Sequence, residues 1–218
     1  MKETGILFNG DMVRTILDGR KTMTRRVVSK NNSSGSSARL SELLLNSDKT
    51  YADPWGYLHV PHIDGETIHR WYPKWEVGDR LWVRETWTLW EDPDDGLDWV
   101  LYREGGKMRF PNIQNLAMPN DPFADKWRPS IHMPRWASRI ILEITNVRVE
   151  RLQEITEEDA VKEGAGPEFE VDVATFCCGG KIPASTHVLG FKHLWDSTTD
   201  KHPWSSNPLV WVIEFKRV

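Results

Sequence analysis

Arg14, Arg20-Lys21 and Arg25-Arg26 crowd one short stretch near the N-terminus and form the only basic cluster dense enough to hold a polyanion. Two readings of that cluster are open: a local set of phosphate contacts, or a solvated basic turn. Arg84 and Glu85 bring opposite charges to one place in the chain. As neighbours on a strand they point to opposite faces, so only one of them can face a cleft. His132, between Ile131 and Met133 and close to two prolines, reads as a packed loop histidine rather than a general base. Ser130 lacks the Gly-x-Ser-x-Gly surroundings of a serine hydrolase. Cys177 and Cys178 are adjacent, a spacing that suits neither an ordinary disulfide nor a four-ligand zinc site. His187 and His193 could complete a metal site with them. The spacing matches no standard pattern, so the expectation is two ordinary thiols in a loop, with no metal and no cofactor.

These side chains need elements to position them. Ile6-Leu7-Phe8 reads as a short buried strand, and Asn9-Gly10-Asp11 supplies a turn and a helix N-cap. Val13, Ile16 and Leu17 then recur at i, i+3 and i+4, and Gly19 stands where a left-handed residue ends a helix. The segment from Arg20 to Arg26 therefore leaves a helix end and runs into a strand through Val27-Val28. Arg80 to Trp87 reads as one strand after the turn Val77-Gly78-Asp79, and Asp98 to Arg103 as another. The longest strand signal begins at Ser138: Ile140, Leu142 and Ile144 alternate before the phase shifts to Val147 and Val149, which predicts a β-bulge near Asn146. Thr156-Glu157-Glu158-Asp159 is a capping-box pattern with Ile155 placed to staple on Ala160, so a short helix runs to Glu163 and stops at Gly164. Phe191, Leu194 and Trp195 have helical spacing. In the last strand Trp211, Ile213 and Phe215 alternate with Val212 and Glu214.

No βαβ rhythm, nucleotide-binding glycine motif or internal repeat is present, which predicts an α+β fold or a helix-decorated barrel. The chain of 218 residues reads as a single domain, 1–218, with insertions at about 29–76, 104–134 and 165–188. The Ser-, Asn- and Gly-rich run 31–37 makes 29–54 the segment expected to be most mobile. With 39% hydrophobic and 28% charged residues, and no apolar run near the roughly 20 residues of a membrane span, a soluble cytoplasmic protein without a membrane partner is expected. A net charge of -4 argues against coating nucleic acid by counterion release alone. Twelve tryptophans are expected mostly in the core, with one or two near the basic cluster free to stack on a base.

Several of these pieces, in this order, resemble the ASCH family: Gly19-Arg20-Lys21-Thr22-Met23-Thr24-Arg25 after a short helix, Gly78-Asp79-Arg80-Leu81-Trp82-Val83 leading a strand, the helix of Glu157 to Glu163 after a long strand, and the C-terminal Val212-Ile213-Glu214-Phe215. The segment from Pro129 to Ala137 is similar to enlarged phage and prophage versions. The resemblance implies a PUA-like β-barrel decorated with short helices and long loop insertions, binding a nucleoside or RNA in a cleft beside the first helix. One branch of the family, the small bacterial N4-acetylcytidine amidohydrolases, uses a lysine, a threonine and a glutamate. Matching motifs residue by residue carries these onto Lys21, Thr24 and Glu163 as catalytic residues. Arg20, Arg25, Arg26, Arg84 and Glu85 are then candidates for binding the substrate or nucleic acid. The chain departs from that branch in its greater length, in Arg26 following Arg25, and in loops able to cover a cleft.

Amide hydrolysis needs an activated nucleophile, a proton carrier and donors for the oxyanion. A lysine base must fall from about 10.4 toward roughly 7 to 8. Burial and the neighbouring Arg20, Arg25 and Arg26 act in that direction, while the C-terminal end of the preceding helix opposes it. Lys21 and Thr24 are three apart, so on a straight strand they face opposite ways and must share a turn or bulge to act together. Glu163, in the last turn of its helix, meets a dipole end that disfavours its charge. Three functions compete: an amidohydrolase for an acylated nucleobase, a non-catalytic RNA or modified-base reader using the same cleft, and a phage interaction protein whose insertions bind another protein.

Overall fold

The structure, a computed structural model, describes residues 1–28, 51–52, 58–61, 68–71, 74–91, 98–109, 126–166, 186–199 and 201–218. Cys177, Cys178 and most of the three expected insertions lie outside the described residues. So does most of 29–54. The architecture is α+β, and among the described residues the sheets are open, with no barrel closure. Among the described residues no helix is long and apolar enough to cross a membrane. The chain divides into two compact units: Met1–Gly19 with Gly78–Glu143 and Lys216–Val218, and Arg20–Val77 with Ile144–Phe215.

In the first unit, strand β1 (Glu3–Leu7) runs parallel to β6 (Arg80–Arg84), which pairs antiparallel with the first residues of β10 (Ile141–Arg151). Helix α1 (Gly10–Leu17) begins where the sequence predicts, with the Asn9 side chain accepting from the Met12 amide at 2.9 Å. It ends at Gly19 in the left-handed region, φ 74°. Val13 and Ile16 are its buried stripe.

The single strand expected over 80–87 is two. After β6 the chain leaves the ladder at Glu85 and Thr86, and β7 (Trp87–Glu91) starts a separate antiparallel sheet with β8 (Asp98–Tyr102) and β9 (Lys107–Arg109). The break has a tertiary cause. Glu85 is 1% exposed, and its carboxylate accepts two bonds from Arg139 at 2.9 and 2.8 Å, while its backbone N–H donates to Met133 Sδ instead of a strand neighbour. The Arg139 guanidinium also lies 4.0 Å from the centre of the Tyr102 ring. Under this sheet Trp87, Val100, Tyr102, Met133 and Ala137 form a core, with Trp136 edge-on to Trp87.

Gly106, at φ 87°, offers a test of the Glu85–Arg139 pair, because a Cβ added there meets the Arg139 guanidinium. Gly105, at φ 84°, has open space at the same point. Both alanine variants carry the left-handed strain of about 1–2 kcal/mol. Gly106→Ala must in addition move an arginine tied to a buried carboxylate, so it is expected to lower the melting temperature clearly more than Gly105→Ala. Equal losses in thermal unfolding would mean that the pair contributes nothing.

In the second unit β10 continues and pairs with β11 (Leu209–Arg217), which pairs antiparallel with β2 (Met23–Val27). The long strand runs uninterrupted through Asn146, and Thr145 and Asn146 are both exposed where the burial pattern changes phase. β11 does not alternate as its pattern predicts: Val210, Trp211, Val212 and Ile213 are all buried, so both of its faces are covered there. Helix α2 (Glu157–Lys162) is capped by Thr156, whose hydroxyl accepts from the Asp159 amide at 3.1 Å, and ends at Glu163 and then Gly164, φ 82°. Helix α3 (His187–Thr198) carries Phe191 and Trp195 into a core with Met23, Val210, Val212, Leu152, Ile155 and Ala160. Within the segment read as the first insertion, β3 (Tyr51–Ala52), β4 (Leu58–Pro61) and β5 (Ile68–Trp71) pair as a small antiparallel sheet.

Candidate functional site

Lys21 stands in the turn that follows α1 and precedes β2, and two backbone bonds fix this turn. The Thr22 amide donates to Lys162 O at 2.8 Å, and the Phe215 amide donates to Thr22 O at 2.9 Å, so the turn is tied to the end of α2 on one side and to β11 on the other. That tie brings Lys21 to Glu163, the residue that closes α2. Its Nζ donates to Glu163 Oε2 at 2.6 Å and to the Glu163 backbone carbonyl, one of the carbonyls a helix end leaves unpaired, at 2.7 Å. The side chains are 0% and 3% exposed.

Arg25 reaches the same carboxylate from the middle of β2. Its Nη1 donates to Glu163 Oε1 at 3.2 Å and to Met23 Sδ at 3.3 Å; its Nη2 donates to Asp159 Oδ2 at 2.9 Å and Glu150 Oε2 at 3.1 Å. The guanidinium carbon sits 5.7 Å from the centre of the Phe191 ring. Arg148 extends the network along β10. It donates to Asp159 Oδ2 at 2.7 Å, to Glu150 Oε1 and to Glu214 Oε1. Exposure grades along this chain of charges, from 0% at Lys21 and Arg25 to 29% at Arg148 and 30% at Glu214. The buried end is therefore dry while the outer end is wet. Burial pushes the Lys21 ammonium below the ordinary lysine value, Glu163 opposes that shift, and Arg26 and Arg25 add to it. The direction is the one a lysine base needs.

Of the residues singled out from sequence, Lys21, Arg25 and Glu163 meet in one cluster. Thr24 is 2% exposed and pairs with Ile213 on β11, while Arg25 pairs with Val212. By strand alternation Thr24 faces away from the side that carries Arg25 and Glu163. Arg26, opposite Trp211, starts from that other face but stays within electrostatic reach of the cluster: its charge adds to the lowering of Lys21, and Glu163 opposes the burial that lowers its own guanidinium. Arg20 is exposed. Arg84 and Glu85 belong to the first unit, where Arg84 lies 4.7 Å from the centre of the Trp82 ring and Glu85 is held by Arg139. Among the described residues no group of His, Cys, Asp and Glu is arranged to hold a metal ion. His187 instead opens α3, its amide donating to Glu157 at 2.8 Å.

Sequence reasoning missed Asp159, Glu150, Arg148 and Glu214. Asp159 reads as a capping residue of α2, yet its side chain turns to the sheet. Arg148 and Glu150, two apart on a strand, share a face, and that spacing was a usable signal. What it could not give is the register that lays Arg25 and Glu214 against them. Compared with protein-family models, curated proteins and solved structures, the chain matches none.

Proposed function

We propose that this chain is an ASCH-type, PUA-like protein that binds a nucleoside, and that the Lys21–Glu163 pair makes it an amidohydrolase for an acylated nucleobase of the N4-acetylcytidine type. The observation that carries the reading is the lysine itself: withdrawn from water, 2.6 Å from a carboxylate oxygen, and pushed by burial toward its neutral form. A neutral Lys21 amine can take a proton from the water that attacks the acyl carbon. When the C–N bond of the tetrahedral adduct breaks, the same proton goes to the leaving exocyclic amine, so amide and water become carboxylic acid and amine. Glu163 orients the lysine and, with Arg25, keeps the proton carrier in place. Thr24, on the other face of β2, is not assigned the nucleophile; water is. The setting is the cytoplasm of a bacterium or a phage-infected host.

A second reading, a non-catalytic reader of RNA or modified bases, draws on a specific observation as well. Lys21 already donates to the Glu163 carboxylate and carbonyl, and Glu163 also accepts from Arg25, an arrangement that also suits a pair that only locks α2 onto the sheet. Chromatography of N4-acetylcytidine incubated with purified protein separates the two. Appearance of cytidine supports the hydrolase. Binding without turnover leaves the reader and sinks the enzyme.

A further inference from the structure

The β7–β9 sheet has a second face whose residues the Lys21 site does not use. In an antiparallel sheet, directly paired residues share a face. Trp90 pairs with Trp99, Trp99 with Arg109, Thr88 with Leu101 and Leu101 with Lys107. These six residues therefore lie together, opposite the face on which Trp87, Val100 and Tyr102 enter the core. Thr88 is buried and donates to Lys126 O at 3.0 Å, which closes one part of the face. The remainder is a cross-strand pair of half-buried indoles flanked by two exposed cations, with the Lys107 ammonium 4.2 Å from the centre of the Trp99 ring. The six positions hold no carboxylate, in a chain whose net charge is -4.

We propose that this face is a platform for single-stranded nucleic acid, with bases stacking on Trp90 and Trp99 and Lys107 and Arg109 meeting the phosphates. The positive charge calls for a polyanion, and flat indoles on a sheet call for unpaired bases, whose faces a duplex keeps hidden. The Lys107–Trp99 contact does not block the site. Lys107 is exposed, and an ammonium that keeps its contact with water is held by a ring more weakly than a stacked base, so a base displaces it and leaves the lysine beside the backbone phosphate. The inference is independent of the hydrolase reading, because every residue in it belongs to the first unit.

The test is fluorescence anisotropy with labelled oligothymidine and oligouridine strands of about ten nucleotides, within the usual site range, and a duplex of equal length. Both single strands are expected to bind better than the duplex, and their ratio tells whether DNA or RNA is preferred. Trp90→Ala and Trp99→Ala should each weaken binding by about 10-fold. The phenylalanine variants should restore part of it, which guards against a merely misfolded hairpin. Lys107→Gln with Arg109→Gln should reduce the slope of log affinity against log salt by about 1.4. Duplex binding as tight as single-strand binding overturns the proposal, as does affinity unmoved by both alanine variants. Tryptophan-dependent binding of phosphatidylserine vesicles with none of the oligonucleotides would give the face to a membrane surface instead.

Discussion

Replacing Arg25 by methionine is expected to lower the unfolding free energy by about 3–5 kcal/mol, against about 1 kcal/mol or less for Arg148→Met. Both arginines bridge carboxylates, and both touch Asp159 and Glu150. The difference is water. Arg25 is fully buried, so removing it deprives Glu163 and Asp159 of a cation with little solvent at hand to replace it. Arg148 is 29% exposed, and the carboxylates it serves can be rehydrated from its side. For a chain of 218 residues the Arg25 loss corresponds to a melting temperature lower by about 6 to 20 °C. Urea unfolding followed by tryptophan fluorescence checks it, with an unchanged m-value required for the comparison. Equal losses for the two variants would show that burial does not grade this network.

The local elements were largely legible because local chemistry specifies them. Asn9 and Gly19 delimit α1, Thr156 and Gly164 delimit α2, and the spacing of Phe191 and Trp195 marks α3. What failed to show were features set by partners distant in sequence. The break between β6 and β7 depends on Arg139 and Met133, more than forty residues away, taking hold of Glu85. The four consecutive buried residues of β11 reflect cover on both faces, which turns an alternating strand into a continuous one. The strand pairing of Tyr51–Ala52 with Leu58 and His59 is likewise a match that composition alone does not register.

The site divides the same way. Lys21 and Glu163 came from motif resemblance, and no helix or strand period links residues 142 apart. Thr24 shows the opposite case: the parity of β2 already separated it from Arg25, and only a bulge or shared turn could have reunited it with Lys21. The turn exists and holds Lys21 itself, so strand parity separates Thr24 from Arg25 without fixing how Thr24 lies to Lys21. Of the acidic partners, Glu150 was legible from its spacing to Arg148, whereas Glu214 needed the strand register and Asp159 the packing of α2 on the sheet.

Lys21→Arg is expected to remove hydrolysis of N4-acetylcytidine by about 10²-fold or more while nucleoside binding persists. Arginine keeps the positive charge and cannot shed a proton at neutral pH, so the variant separates charge from proton transfer. Because the wild-type side chain is fully buried, the bulkier guanidinium risks disturbing the fold. Lys21→Met, of similar length and without charge, guards against that. A stability readout then tests the titration itself. The folded-state pKa of Lys21 lies below its ordinary value of 10.5 because burial disfavours the ammonium. Between the lowered value and 10.5 the unfolded chain binds a proton at Lys21 that the folded chain does not, so wild-type stability should rise with pH across that window. The difference between wild type and Lys21→Met should follow the same rise and go flat above it, since other groups cancel in the subtraction. Retained turnover in Lys21→Arg would end the general-base role. A wild-type minus Lys21→Met difference that falls with rising pH would mean that Glu163 outweighs burial and keeps the lysine charged.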